Sequence, residues 1–490
     1  MKNFLKYTTM LLAVLLMASC EDFLDVNEDP NNPLTVTPEL VLPVAQVYTA
    51  NVMYTDRYIN CLGNMMMYNW SQSDGYSWYG DEFNYAVNQS FYSRIFTYSY
   101  QNTLKQYQIL EGLDAKYDYY KAISKIMKAY HFQLLVDLYG DIPYFEALQR
   151  GALATPKYDN ASDIYADLMV ELTEAIALIK DAEMPVEVSN DVIFDGDMDQ
   201  WIKFANTIKI RLITRVSDMA TAPFNIDTEL AAIATEGSGF ITANVTVNPG
   251  FAKEENKQNP MWQSFGAEVS GTQTMSGLAT CATDYVLSYL SSKNDPRIDR
   301  IYEEPATAAG HLGVPQGLLD YDTPVKDQYI PANVSNIGPG ILKGFDMDAI
   351  IFTKAELYFN LAELALKGDY TAVAAQTLYQ NGIIASFETL GLTAAQAQSY
   401  YNQPVANVSW DNTLRTIITQ KWIALNGINA EQSWFDYNRT GYPTGLPISQ
   451  LYPGSDRPVR LAYPASEYSS NGANLPAQPD VFTGKIFWAQ

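Results

Sequence analysis

Lys354-Ala355-Glu356-Leu357-Tyr358-Phe359-Asn360-Leu361-Ala362-Glu363-Leu364-Ala365-Leu366-Lys367-Gly368-Asp369-Tyr370 is the stretch on which the reading of the fold turns. Leu357, Leu361 and Leu364 recur at helical spacing, and Ala355, Ala362 and Ala365 let another helix come close, so a helix is expected over roughly 352–367. Lys367-Gly368-Asp369-Tyr370 then breaks it, and a partner helix is expected over about 371–386. The same period appears elsewhere. Over 117–139, Ile123, Met127, Tyr130, Leu134 and Leu138 trace one apolar stripe. Ser162 or Asp163 can cap a helix whose stripe is Ile164, Leu168, Leu172, Ala175 and Ile179. Asp197 or Asp199 can cap another carrying Trp201, Phe204, Ile208 and Leu212, with Arg211 and Arg215 beside that stripe, and 413–427 adds one more.

Between these helices lie long Gly/Pro/Asn-rich segments, 236–260, 302–345 and 440–485, with only short β-like runs such as Phe240 to Val247. The expected class is therefore mainly α, a scaffold of helix pairs with long irregular loop insertions and minor β. The helix–Gly–x–Tyr–helix pattern at 352–386 resembles a tetratricopeptide hairpin, without a second in-register copy. Loops of that length are usually functional.

The chain has 490 residues, 31 Lys+Arg against 55 Asp+Glu, and a formal net charge of −24. Phosphate backbones are bound by clustered cations that release counterions, so this balance argues against a nucleic-acid partner. With 47% hydrophobic and 18% charged residues the composition is neither disordered nor that of a polytopic membrane protein. Two histidines, His131 and His311, leave no multi-histidine metal centre to expect, and no cofactor is implied. The unusual component is aromatic: 35 Tyr, 20 Phe and 8 Trp, 13% of the chain.

Residues 1–19 read as a signal peptide, with Lys2 and Lys6 ahead of an apolar Met10–Ala18 core too short to span a bilayer. Leu16-Met17-Ala18-Ser19-Cys20 resembles a bacterial lipobox, which implies cleavage before Cys20 and its lipidation, palmitate included. The alternative is an ordinary signal peptide with a chance cysteine. Residues 20–40, rich in Pro, Asp and Asn, suit a tether, and 41–490 form the remaining unit. Cys61 and Cys281 make either one disulfide or two buried thiols.

Several segments, in this order, resemble the SusD/RagB family of outer-membrane nutrient-binding lipoproteins, and within it the SusD-like subgroup. They are Leu138-Tyr139-Gly140-Asp141-Ile142-Pro143-Tyr144, Gly196-Asp197 through Trp201-Ile202-Lys203-Phe204-Ala205-Asn206, and Asn294-Asp295-Pro296-Arg297. Lys354 to Glu363, Gln420-Lys421-Trp422-Ile423-Ala424-Leu425 and Arg460-Leu461-Ala462-Tyr463-Pro464 complete the set. The resemblance implies one SusD-like helical domain over 41–490, built on tetratricopeptide-like helix pairs and lipid-anchored at the outer membrane. It implies a non-enzymatic protein that binds oligosaccharide, or in some members peptide, and passes it to a SusC-like TonB-dependent transporter. Glu21, Asp22 and Asp25 just after the cysteine resemble an export signal for the cell exterior. The motif residues themselves read as structural, Asp141 and Pro143 as a turn and Asp197 as a helix cap.

Ligand contact is expected where Tyr and Trp crowd a loop, because each offers a rigid face and a polar handle, and a pyranose stacks its C–H surface on such a face. In 65–100 the aromatics are dense, and around Ser71 to Gly80 no periodicity holds, which favours a loop. Tyr68, Trp70, Tyr76, Trp78 and Tyr79, with Asp74 for hydroxyls, are the candidates there; Trp262 and Tyr329 are candidates from the loop-rich middle. Asn69, Gln72, Asp81 and Asn84 are further hydroxyl partners, whereas Phe91 to Tyr100 reads as core. The competing classes are a peptide-binding lipoprotein of the same system and a surface glycoside hydrolase. The hydrolase needs two suitably spaced carboxylates. Glu356 and Glu363 share a helix face but belong to the scaffold motif, and no GxSxG, HExxH or GxxxxGK[ST] motif is present. Asp195-Gly196-Asp197-Met198-Asp199 looks like a calcium loop but lacks the downstream glutamate, so capping is the reading and no metal site is expected.

Overall fold

The computed structural model describes residues 37–149, 152–307, 309–318 and 326–489; the expected signal peptide, Cys20 and the tether through residue 36 lie outside them. The helices that build the scaffold are α1 (Pro38–Tyr54), α2 (Ile59–Met66), α3 (Asp118–Tyr139), α4 (Ala161–Lys180), α5 (Met198–Val216), α6 (Lys354–Lys367), α7 (Ala375–Thr389), α8 (Leu414–Leu425) and α9 (Ala430–Thr440). α3 packs on α4, α4 on α5, α6 on α7, and α8 on α9, while α5 also packs on α6 and so joins the two halves. The only strands among the described residues are β1 (Trp70–Gln72), β2 (Val245–Val247), β3 (Thr280–Ala282) and β4 (Ala349–Phe352), which form the antiparallel ribbons β1–β3 and β2–β4. The mainly α class expected from the apolar periodicity is the class observed.

Each expected stripe is buried: Ile123, Met127, Tyr130, Leu134 and Leu138 on α3, and Ile164, Leu168, Leu172, Ala175 and Ile179 on α4. The cap of α4 falls earlier than Ser162. Asn160 takes it, its side chain accepting from the Ser162 N–H at 2.9 Å, and Asp163 sits in the first turn instead. Asp197 caps α5 as expected, accepting from the Gln200 N–H at 3.2 Å. α6 ends at Gly368, held at φ 91°, and the N–H groups of Asp369 and Tyr370 both turn back onto the Leu364 carbonyl. That wrapped turn delays α7 to Ala375, past the expected 371. The expected loop at Ser71 is also corrected: Ser71 pairs with Cys281 in the β1–β3 ribbon. A three-residue strand buried on both faces shows no alternation, which hid it.

The scaffold encloses ionised side chains as well as apolar ones. Arg211 of α5 pairs both its Nε and Nη2 with Glu356 of α6, at 2.7 and 2.8 Å. Arg439 of α9 clasps Glu363 of α6 in the same two-pronged way, at 2.6 and 2.7 Å. At the centre lies Asp436 of α9, within 3.2 Å of Arg215, 2.7 Å of Lys421 and 3.3 Å of Arg439. Arg215 also donates to Gln432 at 2.6 Å and lies 3.3 Å from Asp137 of α3, which accepts from the Tyr165 hydroxyl and the Trp488 indole. Burial alone pushes the Asp436 carboxyl up, but Lys421, Arg215 and Arg439 outweigh it and hold it below the ordinary carboxylate range. Glu431, one turn earlier, has no such cage, and burial pushes it up to about 8.

Two outcomes are expected. Asp436→Asn leaves three buried cations short of a partner, which costs about 3–5 kcal/mol, to be read as a lowered urea midpoint at neutral pH. An unchanged midpoint would contradict the central role given to Asp436. Glu431 binds its proton more tightly folded than unfolded, so its stabilising contribution is full below the unfolded value near 4.5 and is lost as pH rises through about 8. Glu431→Gln should therefore flatten the fall in stability across that window, measured by denaturation at stepped pH.

Candidate functional site

The site is built outward from the turn between α1 and α2. Arg57 adopts φ 58°, a left-handed backbone that turns the chain and leaves Asp56 and Arg57 under the aromatic loop. That loop follows β1, and Gln72, buried at the end of the strand, clamps it. Its Oε1 accepts from the Trp78 and Tyr79 N–H groups at 2.6 and 3.0 Å, and its Nε2 donates to the Tyr76 carbonyl at 2.6 Å. Trp78 is held further by its indole N–H, which donates to Asp56 at 3.2 Å, and by Arg57, which donates to its carbonyl. The Arg57 guanidinium lies 5.3 Å from the Trp78 ring centre and 5.8 Å from that of Tyr79, a cation–π contact with both. Trp78 is thus a half-exposed aromatic face with almost no freedom of its own.

It forms one wall of an open cleft of ≈ 470 Å³, completed by Arg57, Ser77, Asp81, Glu82, Phe91 and Arg94 among others. Glu82 is buried 3.6 Å from Arg57, and burial pushes its carboxyl up to about 7 against the pull of its own backbone N–H and of Arg57. The cleft therefore offers an aromatic plane, two guanidinium groups and two carboxyl groups. Two of its lining residues, Arg57 and Tyr92, hold positive φ, a conformation taken among the described residues mostly by Gly, Asn and Asp. A second cleft of ≈ 450 Å³, beside the β2–β4 ribbon and the end of α7, has as its one aromatic Tyr54, a buried ring whose hydroxyl is bonded to the Ile350 carbonyl.

The expected contact residues divide. Trp78 lines the cleft. Asp74 and Tyr76 are half-exposed on the same loop, and the Asp74 N–H donates to the Tyr329 carbonyl at 2.8 Å, so that distant, half-buried tyrosine is brought alongside. Trp262 is half-buried on the short helix Pro260–Phe265, which reaches the Trp78 support through Ser264, the acceptor of the Asp56 N–H at 3.1 Å. Tyr68, Trp70 and Tyr79 are corrected: all three are core side chains with no face to offer. Tyr68 accepts from the Gln316 N–H, Trp70 packs edge-on against Phe265 at 5.2 Å, and the Tyr79 hydroxyl bonds Thr280 at 2.7 Å. Asn69 and Gln72, read as hydroxyl partners, are buried structural groups as well. Sequence reading missed Arg57, Glu82 and Arg94; the available signal was that Arg94 is the one basic residue within 65–100 and Arg57 the nearest one before it.

The two helix-face glutamates and the two histidines are engaged within the fold. Glu356 and Glu363 are locked in the core by Arg211 and Arg439. His131 is buried against Thr49 at 2.8 Å, and burial pushes its pKa down to about 3. His311 bridges Ser335 and Asp299, at 2.9 Å each, but the Ser335 side chain is fully buried, so no substrate reaches it. Cys61 and Cys281 are buried free thiols. Among the described residues no cluster of His, Cys, Asp or Glu has metal-holding geometry, and no helix is long and apolar enough to cross a membrane.

A family profile described as starch-binding, associating with the outer membrane, matches residues 30–464. Among solved structures, a chitin-binding protein is 25% identical with a TM-score of 0.76, the match covering 93% of this chain and all 100% of that one. A chitin-binding SusD homolog from Flavobacterium johnsoniae is 24% identical with a TM-score of 0.74, over 92% of this chain and 98% of that one. A SusD homolog from Bacteroides uniformis is 22% identical with a TM-score of 0.75, over 92% and 99%. No curated protein sequence matches the chain.

Proposed function

The chain belongs to the SusD-like family, and we propose that it is a lipid-anchored outer-membrane protein, facing the cell exterior, that captures an oligosaccharide at the Trp78 cleft and delivers it to a SusC-like TonB-dependent transporter. The observation that carries the binding reading is the Trp78 face, immobilised by Gln72, Asp56 and Arg57 at the wall of an open polar cleft. A sugar ring lays its C–H face on the indole, while its hydroxyls exchange water for Arg57, Arg94 and Asp81. The platform loses little freedom on binding, which favours affinity. The polar exchange itself contributes little, because each hydroxyl–water bond lost is replaced by a similar one. Affinity in the micromolar to millimolar range follows, roughly −8 to −4 kcal/mol, weak enough for onward transfer. Asp74, Tyr76, Tyr329 and Trp262 extend the contact surface in this reading. Catalysis has no part in this reading. The starch-binding description of the family and the chitin-binding relative both support a glycan rather than a peptide.

Titration with malto- and chito-oligosaccharides tests the site. Trp78→Ala should weaken binding of the recognised series by about tenfold or more, with a smaller loss for Trp262→Ala. Unchanged affinity in both variants sinks the site, and saturable binding of short peptides with no response to either series sinks the glycan reading. The anchor is tested separately: Cys20→Ser should abolish palmitate labelling and release the protein from the membrane fraction, and retention of label would refute lipidation at Cys20.

A further inference from the structure

The Trp78 cleft does not end at its own rim. Ser90, which lines it, also lines an open depression of ≈ 770 Å³ with Ala465 and Gln478. The two sides of that depression are tied by the Ala465 N–H, which donates to the Gln89 carbonyl at 3.1 Å. Ser466, the next residue, borders a groove of ≈ 250 Å³ with Tyr100, Gln101 and Leu148. The same three residues border a wide depression of ≈ 890 Å³ with Gln106 and Ile109. The cleft, the depression and the groove therefore follow one another as a track of neighbouring openings from Trp78 toward the surface around Tyr100 and Gln101.

Two backbone departures meet at its far end. Ser99–Leu104 is a π-helix, a widened turn that costs hydrogen-bond geometry and recurs at functional sites, and it carries Tyr100 and Gln101. Leu148, across the groove, holds φ 65°, which is strained for a bulky side chain. Apart from Lys105 and Glu467 the described lining is uncharged, which suits a hydroxyl-rich ligand. Gln101 is exposed and Gln106 half-exposed, and neither side chain bonds to another described residue. A carboxamide both donates and accepts, as a pair of sugar hydroxyls does. The Tyr100 hydroxyl is satisfied by the Pro143 carbonyl at 2.5 Å, which fixes its half-buried ring beside them. The nearby Glu467 is engaged by the Tyr158 hydroxyl at 2.9 Å. Helix residues and the loop residues Ala147, Leu148, Leu153 and Ala154 wall the groove, and its described lining has no strand edge for an extended peptide to pair with.

We propose that the groove of Tyr100, Gln101, Gln106 and Leu148 is a second glycan subsite, and that a neutral glycan chain long enough to follow the track engages it and the Trp78 cleft together. The inference rests on the reading of the Trp78 cleft as a glycan site and adds a dependence on chain length, since the second contact forms at high effective concentration once the first is made. Calorimetric titration of the full chain with malto- and chito-oligosaccharides, each as a trisaccharide and as a chain several times longer, tests it. The recognised series should bind about tenfold or more tightly in the long form. The double variant Gln101→Ala/Gln106→Ala should lose that gain while its trisaccharide affinity stays unchanged, and Trp78→Ala should weaken both forms. Equal affinity for short and long chains, or a gain that survives in the double variant, overturns the second subsite and leaves the Trp78 reading standing. Absence of binding by either length overturns both. Saturable binding of an uncharged peptide that the double variant loses, with no glycan gain, assigns the groove to a different ligand and overturns the inference as well.

Discussion

The Asp436 carboxylate sits at the centre of the scaffold with Arg215, Lys421 and Arg439 around it. A charge taken out of water is costly, and attraction offsets that cost only when the partners converge in good geometry. The partners here come from α5, α8 and α9 itself, and through Arg439 and Glu363 the cage reaches α6. A helix pair that slipped by one turn would strand a buried ion, so the network acts on the register of the helices more than on the total free energy of folding. Apolar stripes tolerate small shifts along the helix; a two-pronged guanidinium–carboxylate contact does not.

Register set in the core is transmitted to the cleft through backbone contact and a chain of buried amides. α2 lies so close to α9 that a Cβ placed on Gly63 would be 2.0 Å from the Glu431 nitrogen. Asn60 and Asn64 of α2 bond the backbone of the 427–430 turn, with Asn60 donating to the Gly427 carbonyl at 3.0 Å and Asn64 accepting from the Gly427 N–H at 3.0 Å. Asn69 then joins Asn64 at 3.1 Å to Trp422 at 2.8 Å, immediately before β1. β1 ends in Gln72, whose single side chain holds the loop of Tyr76, Trp78 and Tyr79. The half-exposed Trp78 face is therefore the outermost point of an ordered sequence of contacts that begins at the buried ions.

The abundance of tyrosine and tryptophan has its explanation in the same interior. Tyr130 donates to the Ile351 carbonyl at 2.9 Å, Tyr302 to the Asn69 carbonyl at 3.1 Å, and Trp201 to Asp191 at 2.8 Å. Each fills a helix seam with a large apolar body and still satisfies a polar group that burial would otherwise strand. Most aromatics of the 65–100 stretch are buried as well, Tyr68, Trp70 and Tyr79 included. Density of aromatic residues in sequence does not separate them from Trp78, because a core ring and a binding ring have the same composition around them.

The chain's periodicity by itself determined the helical class, the faces that α3 and α4 bury and the cap at Asp197, since these depend on neighbours three or four residues away and on one side chain reaching its own backbone. The six motif segments and the cysteine after the apolar leader pointed to the family for a related reason: they are local patterns. Tertiary structure alone decided which aromatics face water, because exposure of Trp78 and burial of Tyr79, its neighbour, depend on Asp56, Arg57 and Thr280, which lie about twenty to two hundred residues away. It also decided that Arg57 and Arg94 share a cleft and that Asp74 meets Tyr329. Contacts of that kind arise from the packing of whole helices, and no periodicity along the chain records them.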